Sequence, residues 1–175
     1  ATATTTTFDH MLDTILEQQI PASAPEPGAH FQFGDATLTF LSPPNGKTFS
    51  DLNDSSLVFL LEYDGFRILF TGDAGITVEE QILESGWDIQ CDLIKVPHHG
   101  SDTASSADFL HAASPDWAVF TTEEDSPDGL PDEDVVSRYE TLGAGLFFTH
   151  QDGDIVVEIS DSTFTVERLS AAFMN

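Results

Sequence analysis

The sequence predicts an α/β fold with a mixed sheet and helices on one or both of its faces. Two apolar segments flank Asp64-Gly65, a pair that is typical of a tight hairpin turn. Further along the chain, short apolar segments alternate with segments of helical periodicity, as in α/β proteins. With 175 residues, of which 40% are hydrophobic, the chain is long enough to form one domain around a sizeable core.

The first half of the chain is predicted to form one helix and two hairpins. Apolar residues at helical spacing in TTFDHMLDTILEQQI predict an amphipathic helix, which PASAPEPG ends. HFQFGDATLTF predicts a hairpin that turns at Gly34-Asp35, and residues 42–53 are predicted to form a loop. SLVFLLEYDGFRILF then predicts the hairpin that turns at Asp64-Gly65.

The second half is predicted to alternate between helices and strands. TVEEQILESG predicts a helix that Thr77 caps and Gly86 ends. PDEDVVSRYETLG predicts another, with Pro131 near its first turn and Gly143 after its end. A third helix is predicted in SSADFLHAASP. The predicted strands are CDLIKVP, DWAVFTT, GLFFTH, DIVVEIS and TFTVERL, with a turn at QDGD.

Acidic residues dominate the composition. Asp and Glu number 31 against 5 Lys and Arg, which gives a formal net charge of -26. Such a charge opposes compaction at low salt and is screened within a few Å at molar salt. The 14 Phe and the regular apolar segments indicate a folded chain, so the composition favours a protein adapted to high salt. It disfavours ordinary nucleic-acid binding, which needs a basic surface, although high salt weakens this objection.

No run of about 18 apolar residues is present, so no membrane span is predicted in this chain. These features favour a soluble protein, extracellular or on the cell surface of a high-salt organism, while the compartment itself stays open. Cys91 is the single cysteine, which excludes an intramolecular disulfide and a cysteine-based zinc cluster. We expect it to be a buried bystander.

Asp73 and His98 follow two neighbouring predicted strands. LFTGDAG places Asp73 just past one strand, and KVPHHG places His98 at the end of the next. Strands that end at one edge would bring both side chains together, where α/β proteins place their sites. A carboxylate and an imidazole are suitable zinc or manganese ligands. The alternatives are that Asp73 caps the following helix or turn and that His98 is satisfied by hydrogen bonds in a turn.

The residues after His98 have separate predicted roles. Consecutive side chains usually point in different directions, so one of His98 and His99 can bind a metal while the other meets the substrate or shuttles a proton. Gly100 and Ser101 could offer an N–H group and a hydroxyl to an anion, as short glycine turns do. A simple turn is the alternative for both. Asn53, which precedes a strand, is either a turn residue or a site residue.

A longer set of motifs resembles a known family. NDSSLVFLLEYDGFRILFTGDAG, EEQIL, CDLIKVPHHGSDTAS and SPDWAVF closely resemble the metallo-β-lactamase-fold domain of ComEC-type DNA-uptake (competence) proteins. The resemblance runs from about Phe31 to Ile159, and it is specific because TGDA and KVPHHGS occur together at this spacing. It implies a four-layer αββα sandwich that here lacks part of its N-terminal half.

The resemblance also implies a function and a role for each site residue. Asp73 resembles the carboxylate that ligates or bridges one or two divalent ions, zinc or manganese, and His98 resembles the later histidine ligand. His99 would act with Asp73 in catalysis, and Gly100 and Ser101 would lie beside the substrate. The implied activity is a metal-dependent hydrolase that cleaves the phosphodiester bonds of DNA.

Two departures from the family pattern leave alternatives open. The first ligand cluster, His-x-His/Asp-x-Asp-His, is absent from residues 1–90, and Leu130 stands where relatives often carry the histidine of Gly-His-Pro. The resemblance therefore predicts one partial domain over residues 1–175, completed by the missing N-terminal half or by a dimer partner. The alternatives to a nuclease are an inactive half-domain that serves as a binding or structural module and a hydrolase of small esters or phosphoesters.

Overall fold

The computed structural model describes residues 5–169, and it confirms the predicted α/β class. Its main sheet has seven strands in sequential order. They are β1 His30–Phe33, β2 Ala36–Ser42, β3 Val58–Tyr63, β4 Phe66–Phe70, β5 Leu93–Lys95, β6 Trp117–Phe120 and β7 Gly145–Phe148. Strands β1 to β4 pair antiparallel, and β4 to β7 pair parallel. The sheet is therefore mixed, as the hairpins followed by alternating helices and strands predict.

Helices and one further hairpin complete the described chain. The helices are α1 Thr6–Glu17, α2 Ile76–Glu84, α3 Ala107–Ala113, α4 Glu133–Leu142 and α5 Thr149–Asp152. The hairpin consists of β8 Ile155–Ser160 and β9 Thr163–Arg168, which form a separate antiparallel sheet. Helix α1 buries none of its residues. Over residues 5–169, no helix combines the length and apolar character that crossing a membrane requires.

The main core lies between α2, α3, α4 and one face of the seven-stranded sheet. Tyr139, Phe109 and Phe120 are among its largest fully buried side chains. The Phe120 ring stacks on Phe148 with centroids 4.7 Å apart and meets Tyr139 edge-on at 5.4 Å. Full burial of each such side chain stabilises the fold by about 1.5–3 kcal/mol. This core fixes the ends of β4, β5 and β6 relative to one another.

The opposite face of the main sheet, which we name the outer face, is only partly covered by the part of the chain that the structure describes. Hairpin β8–β9 packs over Ile68, Leu93, Val119 and Phe147. Strand alternation places further apolar side chains of β1 to β3 on the same face, and these are Phe31, Phe33, Leu38, Phe40, Phe59 and Leu61. Of these, Phe31 is 56% exposed and Phe33 is 74% exposed. The described layers are thus helices, sheet and hairpin, and the partial sandwich stays a prediction.

The start of α2 differs from the prediction. The helix begins at Ile76 with Gly75 as its N-cap, so Thr77 lies inside the first turn and does not cap it. The reason is the contact with Asp54, whose Oδ1 accepts the Gly75 N–H at 3.2 Å. A Cβ at Gly75 would lie 3.1 Å from that oxygen, so glycine permits this close approach.

The start of α4 and the predicted QDGD turn also differ in detail. Asp132 is the N-cap of α4, and its Oδ1 accepts the N–H groups of Asp134 and Val135. Pro131 therefore precedes the cap and lies outside the first turn, because an aspartate that accepts two free N–H groups defines the helix start. Gln151 and Asp152 of the predicted turn lie in α5.

Candidate active site

Three loops meet at one edge of the main sheet and carry the candidate residues. The segment between β4 and α2 contains Asp73, the turn Pro97–Gly100 after β5 contains His98 and His99, and the turn Asn53–Ser55 precedes β3. Since β4 and β5 are parallel neighbours, they end at the same edge, as the sequence predicts. The structure places Asp73 Oδ1 3.3 Å from His99 Nε2.

The backbone of the histidine turn is unusual. His98 and His99 both have left-handed conformations, with φ of 46° and 57°, which residues with side chains rarely adopt. The His98 N–H donates to Gly72 O at 3.2 Å, which ties the turn to the segment that carries Asp73. The two rings are inclined by 63° with centroids 6.5 Å apart. The turn therefore directs the two imidazoles to different surroundings.

The contacts of His99 show which ring nitrogen carries the proton and which one presents a lone pair to Asp73. Nδ1 lies 2.6 Å from Thr121 O, and because a carbonyl oxygen only accepts, Nδ1 carries a proton and donates it. In the neutral ring, Nε2 then presents a lone pair to the carboxylate of Asp73. Two acceptors at 3.3 Å require a proton or another cation between them.

The same geometry fits a shared divalent metal. Two ligands that each lie about 2.1 Å from a zinc ion at a tetrahedral angle are about 3.4 Å apart, close to the 3.3 Å between Asp73 Oδ1 and His99 Nε2. Metal-binding histidines usually donate their other N–H to a carbonyl or carboxylate, as His99 does to Thr121. The pair therefore offers two donors of suitable type and orientation.

His98 is held by other protein groups. Its Nε2 lies 3.3 Å from Asn53 Nδ2, and its Nδ1 lies 3.2 Å from Thr103 Oγ1. Both nitrogens therefore have partners other than Asp73. The assignment of His98 as ligand and His99 as catalytic residue stays a prediction, and these contacts favour the opposite assignment. They also place Asn53, whose role the sequence left open, beside the site.

Lys95 is a site residue that the sequence analysis missed. Its ammonium donates to Gly72 O at 2.9 Å and lies 3.6 Å from Asp73 Oδ1. Burial lowers the pKa of Lys95, and the nearby carboxylate of Asp73 partly opposes this effect. A lysine inside an apolar strand gave no signal of function. Strand alternation places Lys95 on the outer face, but this can be recognised only when the pairing of β5 with β4 and β6 is known.

Gly100 and Ser101 both make close contacts with other residues of the protein. Gly100 is buried with φ of 85°, and a Cβ there would lie 2.7 Å from Pro131 Cβ and 3.0 Å from the Phe120 ring. Ser101 is 8% exposed, and its hydroxyl lies 2.9 Å from Thr103 Oγ1. Their role beside a substrate stays a prediction.

The ligand set within the described chain is incomplete. No three His, Cys, Asp or Glu side chains among residues 5–169 are grouped so that they could hold one metal ion. The Asp73–His99 pair offers two donors, whereas catalytic zinc sites use three protein ligands and a water. Cys91 is buried, and burial raises the pKa of its thiol to about 12, so it is an inert bystander as expected.

Acidic and hydroxyl side chains line three clefts around the two histidines. One cleft adjoins His99 and Thr121, one adjoins His98 and Leu130, and one lies between Asp73 and Asn53. Their acidic lining residues, besides Asp73, are Asp51, Asp54, Asp102, Glu123, Asp128 and Asp132. Of the described residues that line these clefts, none is Lys or Arg. The entrance to the site is therefore strongly anionic.

Comparisons with known proteins connect the chain to competence proteins. No protein-family model matches it. Competence protein ComA of Neisseria gonorrhoeae is 29% identical over 140 residues, which are 79% of this chain and 20% of that protein. ComE operon protein 3 of Bacillus subtilis is 25% identical over 147 residues, 84% of this chain and 19% of that protein. The chain thus spans about a fifth of the length of these relatives.

Two similar solved structures are the metallo-beta-lactamase fold protein YhfI from Bacillus subtilis and a diphosphatase from the PhnP family. The first has a TM-score of 0.46 at 11% identity and covers 78% of this chain and 58% of that one. The second has a TM-score of 0.36 at 21% identity and covers 75% of this chain and 60% of that one. The competence-protein relatives confirm the resemblance to competence proteins that the motifs predict.

Proposed function

We propose that this chain supplies part of a metal-dependent hydrolytic site that cleaves phosphodiester bonds. The observation that carries the proposal is the Asp73–His99 pair, 3.3 Å apart, with His99 Nδ1 fixed on Thr121 O. A divalent ion such as zinc or manganese, when bound, supplies an activated water and stabilises developing negative charge. DNA is the proposed substrate because the sequence relatives are competence proteins, one of which is named ComA.

The neighbouring residues have distinct proposed roles. The Thr121 carbonyl holds His99 in the tautomer whose Nε2 can bind a cation. Asn53 and Thr103 hold the His98 ring between two clefts, where it can contact a substrate. These roles need no movement of the turn, because its backbone is already tied to Gly72.

The remaining metal ligands are proposed to come from a further segment of a longer polypeptide. Two features support this: the relatives are about five times longer than the matched region, and Phe31 and Phe33 of the outer face are left exposed by the described residues. An amphipathic sheet would bury Phe31 and Phe33 there and extend the edge of the site. The alternative partner is a second copy, which would make the purified chain dimeric in high salt.

A second candidate function is hydrolysis of a small ester or phosphoester. The anionic lining of the clefts favours it, because six acidic side chains besides Asp73 would repel a polyanion such as DNA at low salt. High salt screens this repulsion. Cleavage of single-stranded DNA and of a small phosphodiester, compared across salt concentrations, separates the two substrates.

The first test is metal binding by the purified chain and its variants in high salt. We expect wild type to bind zinc or manganese, and Asp73→Asn and His99→Gln to lose it, because each removes one of two donors. His111→Gln is the matched control, since His111 is exposed on α3. Bound metal is measured by elemental mass spectrometry after equilibrium dialysis against added zinc or manganese, which detects weak binding.

The outcomes separate the assignments of the two histidines. Loss of metal in His99→Gln with retention in a His98→Gln variant supports the proposal. The reverse pattern would restore the assignment that the resemblance implies, with His98 as the ligand. No metal in any protein, even with added zinc or manganese, would mean that this chain alone is a half-site or an inactive remnant. Phosphodiester cleavage that requires metal and is absent in Asp73→Asn would support a metal-dependent enzyme.

A further inference from the structure

Lys95 places a positive charge beside Asp73, a candidate metal ligand. The chain has only five Lys and Arg residues against 31 Asp and Glu. Within the described part of the chain, Lys95 is the one that pairs with a candidate metal ligand, at 3.6 Å from Asp73 Oδ1. A cation that is scarce in the sequence is thus located at the carboxylate on which the proposed site depends.

The fold tethers this ammonium at Asp73. Lys95 pairs with Phe70 of β4 and with Val119 of β6, so its stem lies along the apolar outer face. The ammonium is fixed at the sheet edge by Gly72 O at 2.9 Å, and the side chain is only 19% exposed. Lys95 therefore cannot move far from Asp73 without losing both its hydrogen bond and its packing.

Lys95 and His99 share the same oxygen. Asp73 Oδ1 lies 3.6 Å from Lys95 Nζ and 3.3 Å from His99 Nε2. Any cation that binds this oxygen therefore meets a fixed positive charge nearby. Like charges repel more strongly in a partly buried site than in water, because the effective dielectric constant is lower.

We propose that Lys95 is a tethered counter-cation that competes with a divalent metal for Asp73. The inference rests on the proposed function, since it takes Asp73 and His99 as the metal-binding pair. In the metal-free chain, Lys95 compensates the Asp73 carboxylate and keeps the loops of the site together. The two donors of this chain alone then bind a metal weakly, and additional ligands are needed to overcome the competition.

The test is the affinity of the chelator-stripped chain for Mn²⁺, measured by isothermal titration calorimetry in high salt. Lys95→Met removes the charge and retains an unbranched apolar stem. We expect it to bind Mn²⁺ at least about tenfold more tightly than wild type. Lys47→Met is the matched control, because Lys47 is exposed and contacts Gln81 and Phe49 at a distance from the site. Lys95→Arg, which retains the charge, should bind as weakly as wild type.

Each outcome supports or overturns the inference. Tighter binding by Lys95→Met, abolished in the double variant with Asp73→Asn, supports it. Equal or weaker binding by Lys95→Met, with wild type still binding Mn²⁺, overturns the inference and leaves the proposed function intact. No binding by either protein overturns the inference and, with it, the assignment of Asp73 and His99 as a metal-binding pair in this chain. Lys95→Gln is the second uncharged variant, and circular dichroism shows that each protein is folded.

Discussion

Replacing Gly100 by alanine tests how tightly the turn behind the two histidines is packed. Gly100 has φ of 85°, and an added Cβ would lie 2.7 Å from Pro131 Cβ and 3.0 Å from the Phe120 ring. The left-handed conformation costs a residue with a side chain about 1–2 kcal/mol. Overpacking against the two neighbours costs about 1–3 kcal/mol more. We therefore expect Gly100→Ala to lose about 2–5 kcal/mol of unfolding free energy.

Gly129→Ala is the matched control for this experiment. Gly129 also has a positive φ, 69°, but nothing lies within 4 Å of the position that an added Cβ would occupy, so only the conformational cost of about 1–2 kcal/mol applies. Both variants are compared with wild type by urea unfolding in high salt, with the slope of the transition checked for constancy. Equal losses in the two variants would refute the packing argument. Unchanged stability in Gly100→Ala with weaker substrate binding would instead support the role beside a substrate.

Three further predictions concern the buried network and the charge. Burial raises the pKa of Glu79 above its ordinary 4.5 although Ser105 and Ser106 donate N–H groups to it, so its ionisation costs stability as pH rises. Urea unfolding at several pH values compares the Glu79→Gln variant with wild type. The variant should lose the most unfolding free energy near pH 4 and less toward pH 8. Tyr139→Phe should lose about 1–3 kcal/mol by the same assay, because it orphans the buried Ser105 hydroxyl, 3.1 Å from Tyr139 Oη. Raising NaCl from about 0.1 M to about 1 M should raise the midpoint of thermal unfolding, since screening weakens the repulsion of 31 acidic residues; a fall would contradict the high-salt interpretation.

Local signals explain why much of the fold could be predicted from the sequence. Asp64-Gly65 requires positive φ in a tight hairpin, and the structure has 49° and 84° there. The apolar segments after residue 90 alternate with helical ones, so the parallel strands follow from short-range pattern. The start of α2 was less predictable, because the contact between Asp54 and Gly75 joins parts of the chain far apart in sequence.

The site was only partly predictable for a related physical reason. Asp73 and the histidine pair could be located because both follow strands that end at one edge. Which histidine faces Asp73 depends on two successive left-handed residues, and tertiary contacts such as His98 N–H to Gly72 O hold that conformation. The acceptor for His99 is a backbone carbonyl, Thr121 O, which has no sequence signature.

Salt has two opposing effects on this protein, because part of the outer face is uncovered in the described chain. Screening helps a chain of net charge -26 to fold, but it also removes the long-range repulsion that keeps copies apart. Phe31 and Phe33 lie on β1, an edge strand that pairs only with β2 within the described sheet, and exposed apolar edges are sites of aggregation. Colloidal stability and conformational stability therefore change in opposite directions with ionic strength, and the isolated chain has a bounded window of salt in which it is both folded and dispersed.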